Sequence, residues 1–558
     1  MKKFYRKLVA LQGKNYGAYK DLLRWSWKMG DFDFSWIHIQ GDPHARPSRL
    51  RLEVRLENLG LDKSYWNSTE KALAAADFLL RRLLPIFAQE SIDNVQQEGF
   101  VNIAPCGPEI LRRNYCRIDN DKLVLLLAVA LPGDGRKILA QAANILLLQK
   151  IPDLLTEALY SINYDLADLQ EHIDCLLRQR ALRDLLEERN WVAFVAEGAI
   201  LPRLRSLSGE VLLQAEPFVC PPDQKVEVEV AGSKIVGMPV SAGLTIIAGG
   251  AYHGKSTLLE ALENGVYDHI PGDGRELVVS LACGVKVQTE PGRRVNGIDI
   301  SALVRNLPGA VDTADFHSAN ASGSTSQVAN LMEALASDAK LIFIDEDSSA
   351  VNFLMRDGRM QLLVNAENEP LIPLWHRLDD FKELGVSLVM VIGACGDYLQ
   401  VADQVLVMQS WQPRNATGQA QKIVAEHPVA QVAERHPPFV VPQSLQLEAL
   451  QKAYAHQLRP NSSVERHIKI HLRHHIAQLG RIRVDVGRIP QWTDPEQIRG
   501  AIFLALRLLQ NDRQEPIADI LRDWYGQVWQ SGFKFSRADH YDLALPRVQE
   551  VLSLINRF

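Results

Sequence analysis

No stretch of this sequence approaches the roughly 20 consecutive apolar residues that a membrane-spanning helix needs; the longest apolar run is Leu123 to Leu131. Met1-Lys2-Lys3 is not followed by the apolar core of a secretion signal. Cysteine is sparse: Cys106, Cys116, Cys175, Cys220, Cys283 and Cys395 are dispersed, with no C-x-x-C pair. That pattern argues against a disulfide framework or a zinc knuckle and reads as reduced thiols. No internal repeat or low-complexity tract is evident. A net charge of −6 over 558 residues gives no global attraction to nucleic acid. With 47% hydrophobic and 23% charged residues, the chain reads as a cytoplasmic globular protein of several domains, with no membrane partner.

What is present is concentrated at Gly249-Gly250-Ala251-Tyr252-His253-Gly254-Lys255-Ser256, which fits G-x-x-x-x-G-K-[ST]. It directly follows the apolar run Leu244-Thr245-Ile246-Ile247-Ala248 and precedes the helix-like Thr257-Leu258-Leu259-Glu260-Ala261-Leu262. Strand, glycine loop and helix in that order predict a phosphate-binding loop. Its glycines let backbone amides turn toward the phosphates of ATP or GTP, Lys255 reaches the β- and γ-phosphates, and the Ser256 hydroxyl holds Mg²⁺.

A second cluster supplies the chemistry of hydrolysis. Leu341-Ile342-Phe343-Ile344 reads as a buried strand ending in Asp345-Glu346. Asp345 is predicted to support the metal and Glu346 to position the attacking water, because phosphoryl transfer asks for placement and charge more than covalent chemistry. Between loop and strand, Asn320-Ala321-Ser322-Gly323-Ser324-Thr325-Ser326-Gln327 precedes the helix-like Val328 to Leu335. Small polar residues at a helix start can cap it or receive an anion.

These motifs together resemble the family described as predicted ATPases of the ABC class, non-transporter members with the ABC-type core. The resemblance extends to Gly265 through Glu276, to Ile344 through Asp357, to Gly396-Asp397-Tyr398, and upstream to Gln40-Gly41-Asp42-Pro43 with Pro47-Ser48-Arg49, Leu131 through Arg136, and Ala193-Phe194-Val195. It implies that Ser322 and Gly323 form a signature loop contacting the γ-phosphate of a second subunit. One chain carries one phosphate loop and one signature, so two chains would clamp two ATP molecules head to tail. It also implies an aromatic residue that stacks on adenine, for which Phe218 is the nearest candidate, and a link to RNA handling. Gln288 and Asp299 compete for the position of a metal-sensing residue.

The sequence departs from that family type where Val386 to Ile392 is followed by Gly393-Ala394-Cys395-Gly396-Asp397, with no histidine to touch the γ-phosphate. The signature lacks paired glycines, and the interval from Lys255 to Ser322 is short, which implies a reduced helical insert. Slow turnover fits these departures.

Charge is unevenly placed. Lys2, Lys3, Arg6, Lys7, Lys14, Lys20, Arg24 and Lys28 interleave with Tyr5, Tyr16, Tyr19, Trp25 and Trp27, the parts that single-stranded nucleic acid needs, or else a solvated face over core aromatics. Arg466, His467, Lys469, His471, Arg473, His474, His475, Arg481 and Arg483 form a second basic segment, whose histidines recur at helical spacing but lack acidic or thiol company for a metal. Arg46, Arg49 and Arg51 either bind phosphate or border a structural turn.

The resulting expectation is an α/β fold: an ABC-type P-loop nucleotide-binding core flanked by an α+β N-terminal domain and a smaller C-terminal domain. The expected boundaries are 1–215, 216–425 and 426–558, the last mostly helical, with helices over Asp494 to Leu509 and Pro516 to Gln530. A long helix is expected from Asp153 to Arg189, and Val226-Glu227-Val228 with Ile235-Val236-Gly237 as an antiparallel edge of the core sheet. The functional expectation is an ATP hydrolase using ATP and Mg²⁺, a homodimer that clamps or remodels RNA. The alternative is an ATP-gated clamp for protein partners with little turnover.

Overall fold

The computed structural model describes residues 2–89, 95–204, 209–212, 214–309, 311–364, 369–428, 436, 438–442, 451, 468–471, 476–479, 482–509, 511, 513, 515–533, 539 and 542–558. They fall into two compact units, Met1–Leu177 with Tyr525–Leu545, and Arg178–Trp524 with Pro546–Phe558.

The first unit is built on an antiparallel sheet in the order Ser26–Met29, Phe32–His38, Ser48–Arg55, Lys122–Ala130, Phe100–Asn102, with Cys116–Asp119 also paired to Lys122–Ala130. Helix Thr69–Gln89 packs against Cys116–Asp119 and helix Ile151–Leu159. The long helix expected from Asp153 is interrupted. Residues Ser161–Asn163 form a tight turn in which Asn163 Nδ2 donates back to the Thr156 carbonyl, and the Asp165 carboxylate accepts from the Ala167 amide before helix Leu166–Glu188 begins. Short polar side chains that bond the local backbone compete with a continuous helix.

Most aromatic rings near the N-terminus belong to the core, while Tyr5 is exposed and Trp25 half-buried. Phe4 stacks on Trp27 at 4.1 Å between centroids and Trp27 on Phe34 at 5.1 Å. Buried Tyr16 and Tyr19 donate to the Leu131 and Pro132 carbonyls at 2.7 and 2.8 Å. The interleaved cations stay outside: Lys2, Lys3, Arg6, Lys14, Lys20, Arg24 and Lys28 are exposed. The pattern is therefore a solvated basic face over largely buried rings: Tyr16, Tyr19 and Trp27 offer no surface for stacking bases, and of the five rings only Tyr5 is exposed. Arg49 and Arg51 are likewise engaged: Arg49 pairs with Asp542 at 2.5 Å, and Arg51 with Glu53 at 2.8 Å and Asp539 at 3.2 Å.

The second unit contains a six-stranded sheet. Its elements are β1 (Leu244–Gly249), β2 (Val285–Lys286), β3 (Leu341–Asp345), β4 (Ser387–Val391), β5 (Gln404–Gln409) and β6 (Gln412–Asn415), with helices α1 (Lys255–Asn264) and α2 (Gly323–Ala336). Spatial order is β2-β3-β4-β1-β5-β6, parallel except for the β5–β6 hairpin. Strands β1, β3 and β4 are almost wholly apolar, as strands covered on both faces must be. Ile246, Ile342, Ile344, Leu388 and Met390 share one core with Val328, Leu331 and Met332 of α2.

Strands Val226–Val230 and Ser233–Ser241 do not extend this sheet. They pair with Trp191–Ala196 and Val278–Ser280 in a separate four-stranded antiparallel sheet over its own core of Leu182, Leu186, Phe194 and Val279. Alternating apolar residues identify a half-buried strand but not its partner.

Toward the C-terminus, Ile468–His471, Ile476–Leu479 and Ile482–Asp485 make a three-stranded antiparallel sheet. His471 thus lies on a strand, where helical spacing gathers nothing, while Arg466, His467, Arg473, His474, His475 and Arg481 lie outside the described residues. Among the described residues no group of three or more His, Cys, Asp or Glu is placed to hold a metal ion. Helices α3 (Pro495–Leu509), Ile517–Ser531 and α4 (Val548–Arg557) complete the chain. No described helix is long and apolar enough to cross a membrane.

Candidate nucleotide site

The register of the sheet brings strand ends together. Ile247 of β1 and Asp345 of β3 both stand opposite Val391 of β4, so the loops that follow these strands open at one edge. In open α/β sheets that carboxyl edge is where ligands bind.

The glycine loop turns where side chains could not. Gly249 has φ +140, and a Cβ there would lie 2.5 Å from the Met408 carbonyl oxygen. Tyr252, at φ +63, is 98% exposed. Gly254, at φ +94, caps α1, so the helix starts at Lys255 with Ser256 and Thr257 in its first turn. Unbonded amides and the positive end of the helix dipole make this terminus suited to phosphate. Gly250 and Ala251 lie within the turn, and His253 Nδ1 accepts from the Ser410 amide at 2.9 Å, tying the loop to the β5–β6 hairpin.

The Lys255 ammonium folds back over the loop and donates to the Gly249 and Gly250 carbonyls, both at 2.8 Å. A cation in that position can exchange carbonyl partners for a phosphate. Ser256 Oγ donates to Asp345 Oδ2 at 3.0 Å, and the other Asp345 oxygen accepts from the Asp347 amide at 3.2 Å. A hydroxyl beside a carboxylate at the mouth of a phosphate loop is a hard-oxygen donor set that fits Mg²⁺.

Glu346, the next residue, is held by the segment that carries no histidine. The Gly393 and Ala394 amides donate to Glu346 Oε2 at 2.5 and 2.9 Å, and the Cys395 thiol donates to Oε1 at 3.2 Å. Burial works to raise the Glu346 carboxyl, but the Ala394 and Gly393 amides and the Cys395 thiol outweigh it and hold it below the usual glutamate range. The Cys395 thiol is pushed up to about 12 by burial and by Glu346, so it stays a donor. The sequence marks this segment only by what it lacks; its small residues give the backbone close approach to a carboxylate.

The signature segment starts its helix earlier than its apolar pattern suggests. Helix α2 begins at Gly323, with Ser322 as its N-cap accepting from the Thr325 amide at 3.3 Å. Ser322 is exposed, while Gly323 sits where a Cβ would be 2.9 Å from Thr289 Oγ1. Among the described residues no hydrogen bond joins Ser322 or Gly323 to the phosphate loop. The structure thus gathers Lys255, Ser256, Asp345 and Glu346 and leaves Ser322 and Gly323 outside that cluster. Gln288 donates to the Arg488 carbonyl at 3.3 Å, and Asp299 accepts from the Ser301 amide.

Phe218 is buried, at 2% exposure, and presents no free ring face. Sequence reasoning missed Trp411, which is 58% exposed and lies against Gly254. Ser410 and Trp411, at φ +48 and +64, form the two-residue turn of the β5–β6 hairpin, a place usually given to Asn or Gly. Gln412 beside it donates to the Pro217 carbonyl and accepts from the Val219 amide, so the segment around Phe218 is pinned to this hairpin.

The chain is similar to several known proteins. An uncharacterized protein of Methanocaldococcus jannaschii, MJ1628, is 30% identical over 259 residues, covering 43% of this chain and 54% of the relative. The chain thus spans about half the length of the curated relative it matches. Among solved structures, the ADP conformation of MJ1267, an ATP-binding cassette of an ABC transporter, is 14% identical with a TM-score of 0.24, covering 37% of this chain and 94% of that one. CbiO1 from Clostridium perfringens, part of the ABC transporter complex cbiONQ, is 14% identical with a TM-score of 0.25, covering 43% and 96%. Family models match residues 468–558 as an MRB1590 C-terminal domain, 1–162 as an ATPase of the ABC class N-terminal domain, and 165–443 as an ABC ATPase P-loop domain. The last alone spans half of the chain, which therefore belongs to the ATPases of the ABC class.

Proposed function

We propose that the chain is a Mg²⁺-dependent ATP hydrolase that closes as a head-to-tail homodimer to clamp or remodel RNA in the cytoplasm. The observation that carries the reading is the Ser256–Asp345 hydrogen bond, at 3.0 Å, beside Lys255 and Glu346. Lys255 binds the terminal phosphates, and Ser256 and Asp345 hold Mg²⁺, which when bound neutralises charge on the phosphate oxygens. Glu346 orients the attacking water and accepts its proton. The three donors from the 393–395 segment stabilise the ionised carboxylate and so make Glu346 a weaker base, and turnover is slow. Trp411 supplies the ring face for the base, since Phe218 is buried.

The exposed N-cap Ser322 and the single phosphate loop per chain support completion of each site by a second copy. Support for RNA comes from the family resemblance and from the exposed cations Lys2, Lys3, Arg6, Lys14, Lys20, Arg24 and Lys28; the buried rings beneath them add nothing to it. Light scattering tests the dimer: Glu346→Gln with ATP-Mg²⁺ is expected at twice the monomer mass and with ADP at the monomer mass. Monomer in both states would refute closure.

A further inference from the structure

Away from the phosphate loop, the second unit has a cavity of about 740 Å³ whose lining includes Glu290, Arg293, Arg294, Arg483, Asp485, Arg488 and Arg557. Its inner charges cancel. Arg557 pairs with Glu290 at 2.6 Å and Arg293 with Glu333 at 2.5 Å, all four being nearly buried. The rim is different. Arg488 sits 3.4 Å from Asp485, both about half exposed. Arg294 donates to the neutral Asn296 side chain at 3.1 Å, and neither it nor exposed Arg483 has a carboxylate partner among the described residues. The mouth therefore carries an unbalanced positive charge over a neutral floor.

Guanidinium groups converging on one concave space match the oxygen geometry of phosphate, and the volume is that of a small-molecule pocket. The wall is also continuous with the signature segment. Gly292 donates to the Ala321 carbonyl at 2.8 Å and Ala321 to the Arg293 carbonyl at 2.9 Å, one residue before Ser322. On the other side Arg488 donates to the Pro291 carbonyl at 3.0 Å, while its own carbonyl accepts from Gln288. A ligand here touches the backbone that leads into Ser322 and the strand Ile482–Asp485 at once.

We propose that this cavity is a second anion site, distinct from the phosphate loop, which takes phosphate esters through Arg294, Arg483 and Arg488, and that its occupancy alters the setting of Ser322. The phosphate can belong to a free phosphorylated small molecule or to the backbone of a nucleic-acid strand.

The test separates the two anion sites by working in a Lys255→Ala background, where the phosphate loop is disabled. Calorimetric titration of the full chain with inorganic pyrophosphate is expected to show one remaining site, weakened at least tenfold by adding Arg294→Gln and Arg483→Gln. Both arginines are exposed, so these changes leave the core intact; circular dichroism checks this. A six-nucleotide single-stranded RNA identifies the source. If it binds more tightly than pyrophosphate and displaces it, with a log–log salt slope shallower by about 1.4 in the arginine variant, the ligand is a strand backbone. If pyrophosphate binds and the oligonucleotide does not, the ligand is a free phosphate ester. No pyrophosphate binding in Lys255→Ala, or equal binding after loss of both arginines, overturns the site. The coupling to Ser322 rests on the ATPase reading and is read separately, with ATP saturating so that competition at the phosphate loop is suppressed: whichever of the two ligands binds should change ATP turnover of the wild type more than that of Arg294→Gln/Arg483→Gln. Unchanged wild-type turnover, or an equal change in both proteins, overturns the coupling, while the titrations stand independently of it.

Discussion

Glu346→Gln should retain ATP binding while its turnover falls by about 10²- to 10⁴-fold, the usual worth of a positioned general base. The amide keeps the size of the carboxylate and one acceptor oxygen for the Gly393 and Ala394 amides, so the loop geometry should survive. What it loses is the ability to take a proton from water. The lowered pKa of Glu346 adds a second expectation: it stays ionised through the mildly acidic range, so loss of activity between pH 7 and 5 is not expected from this group. Single-turnover hydrolysis of radiolabelled ATP, with binding measured in parallel, checks both. Equal turnover in Glu346→Gln would remove Glu346 from the chemistry.

Trp411→Ala should weaken ATP binding by about 5- to 150-fold, corresponding to the roughly 1–3 kcal/mol lost when a ring stacked on a base is truncated. Trp411 is more than half exposed at a hairpin turn beside Gly254, so the fold should not depend on its ring. Two consecutive left-handed residues in the turn cost conformational energy, and function is a reason for keeping a tryptophan there. Tripolyphosphate, which has no base, supplies the control by calorimetry. If Trp411→Ala weakens tripolyphosphate as much as ATP, the ring acts by shaping the loop and not by stacking.

The parts of the site legible in sequence were those in which a local string carries its own geometry. Gly249 to Ser256 reads as a phosphate loop because strand, glycines and helix are contiguous. Asp345-Glu346 reads as a strand end because four apolar residues precede it. What was not legible depends on residues far apart in the chain. Nothing local to Arg49 announces Asp542, and nothing near Glu346 announces the Gly393 and Ala394 amides. Tyr16, Tyr19 and Trp27 alternate with lysines in a way compatible with either stacking or burial, and only distant partners decide it: Phe4 and Phe34 on Trp27, and the Leu131 and Pro132 carbonyls for the two tyrosines. The histidine spacing near residue 470 suggested a helix, yet Ile468, Ile470 and the paired strands after them favour a β-ladder, in which a helical interval has no meaning. At the fold level the strand character of Val226–Val230 was visible, but its membership of a second sheet was not, because pairing is a tertiary choice.

The central claim is that ATP closes two copies of this chain around RNA, and the most direct measurement is binding of labelled single-stranded RNA by Glu346→Gln at low and moderate salt. With ATP-Mg²⁺ the protein should bind RNA in a salt-sensitive manner, and with ADP it should release it, since phosphate contacts weaken steeply with ionic strength. Absence of RNA binding in every nucleotide state would contradict the claim and favour a clamp for protein partners, leaving the membership of the ATPase family as it stands.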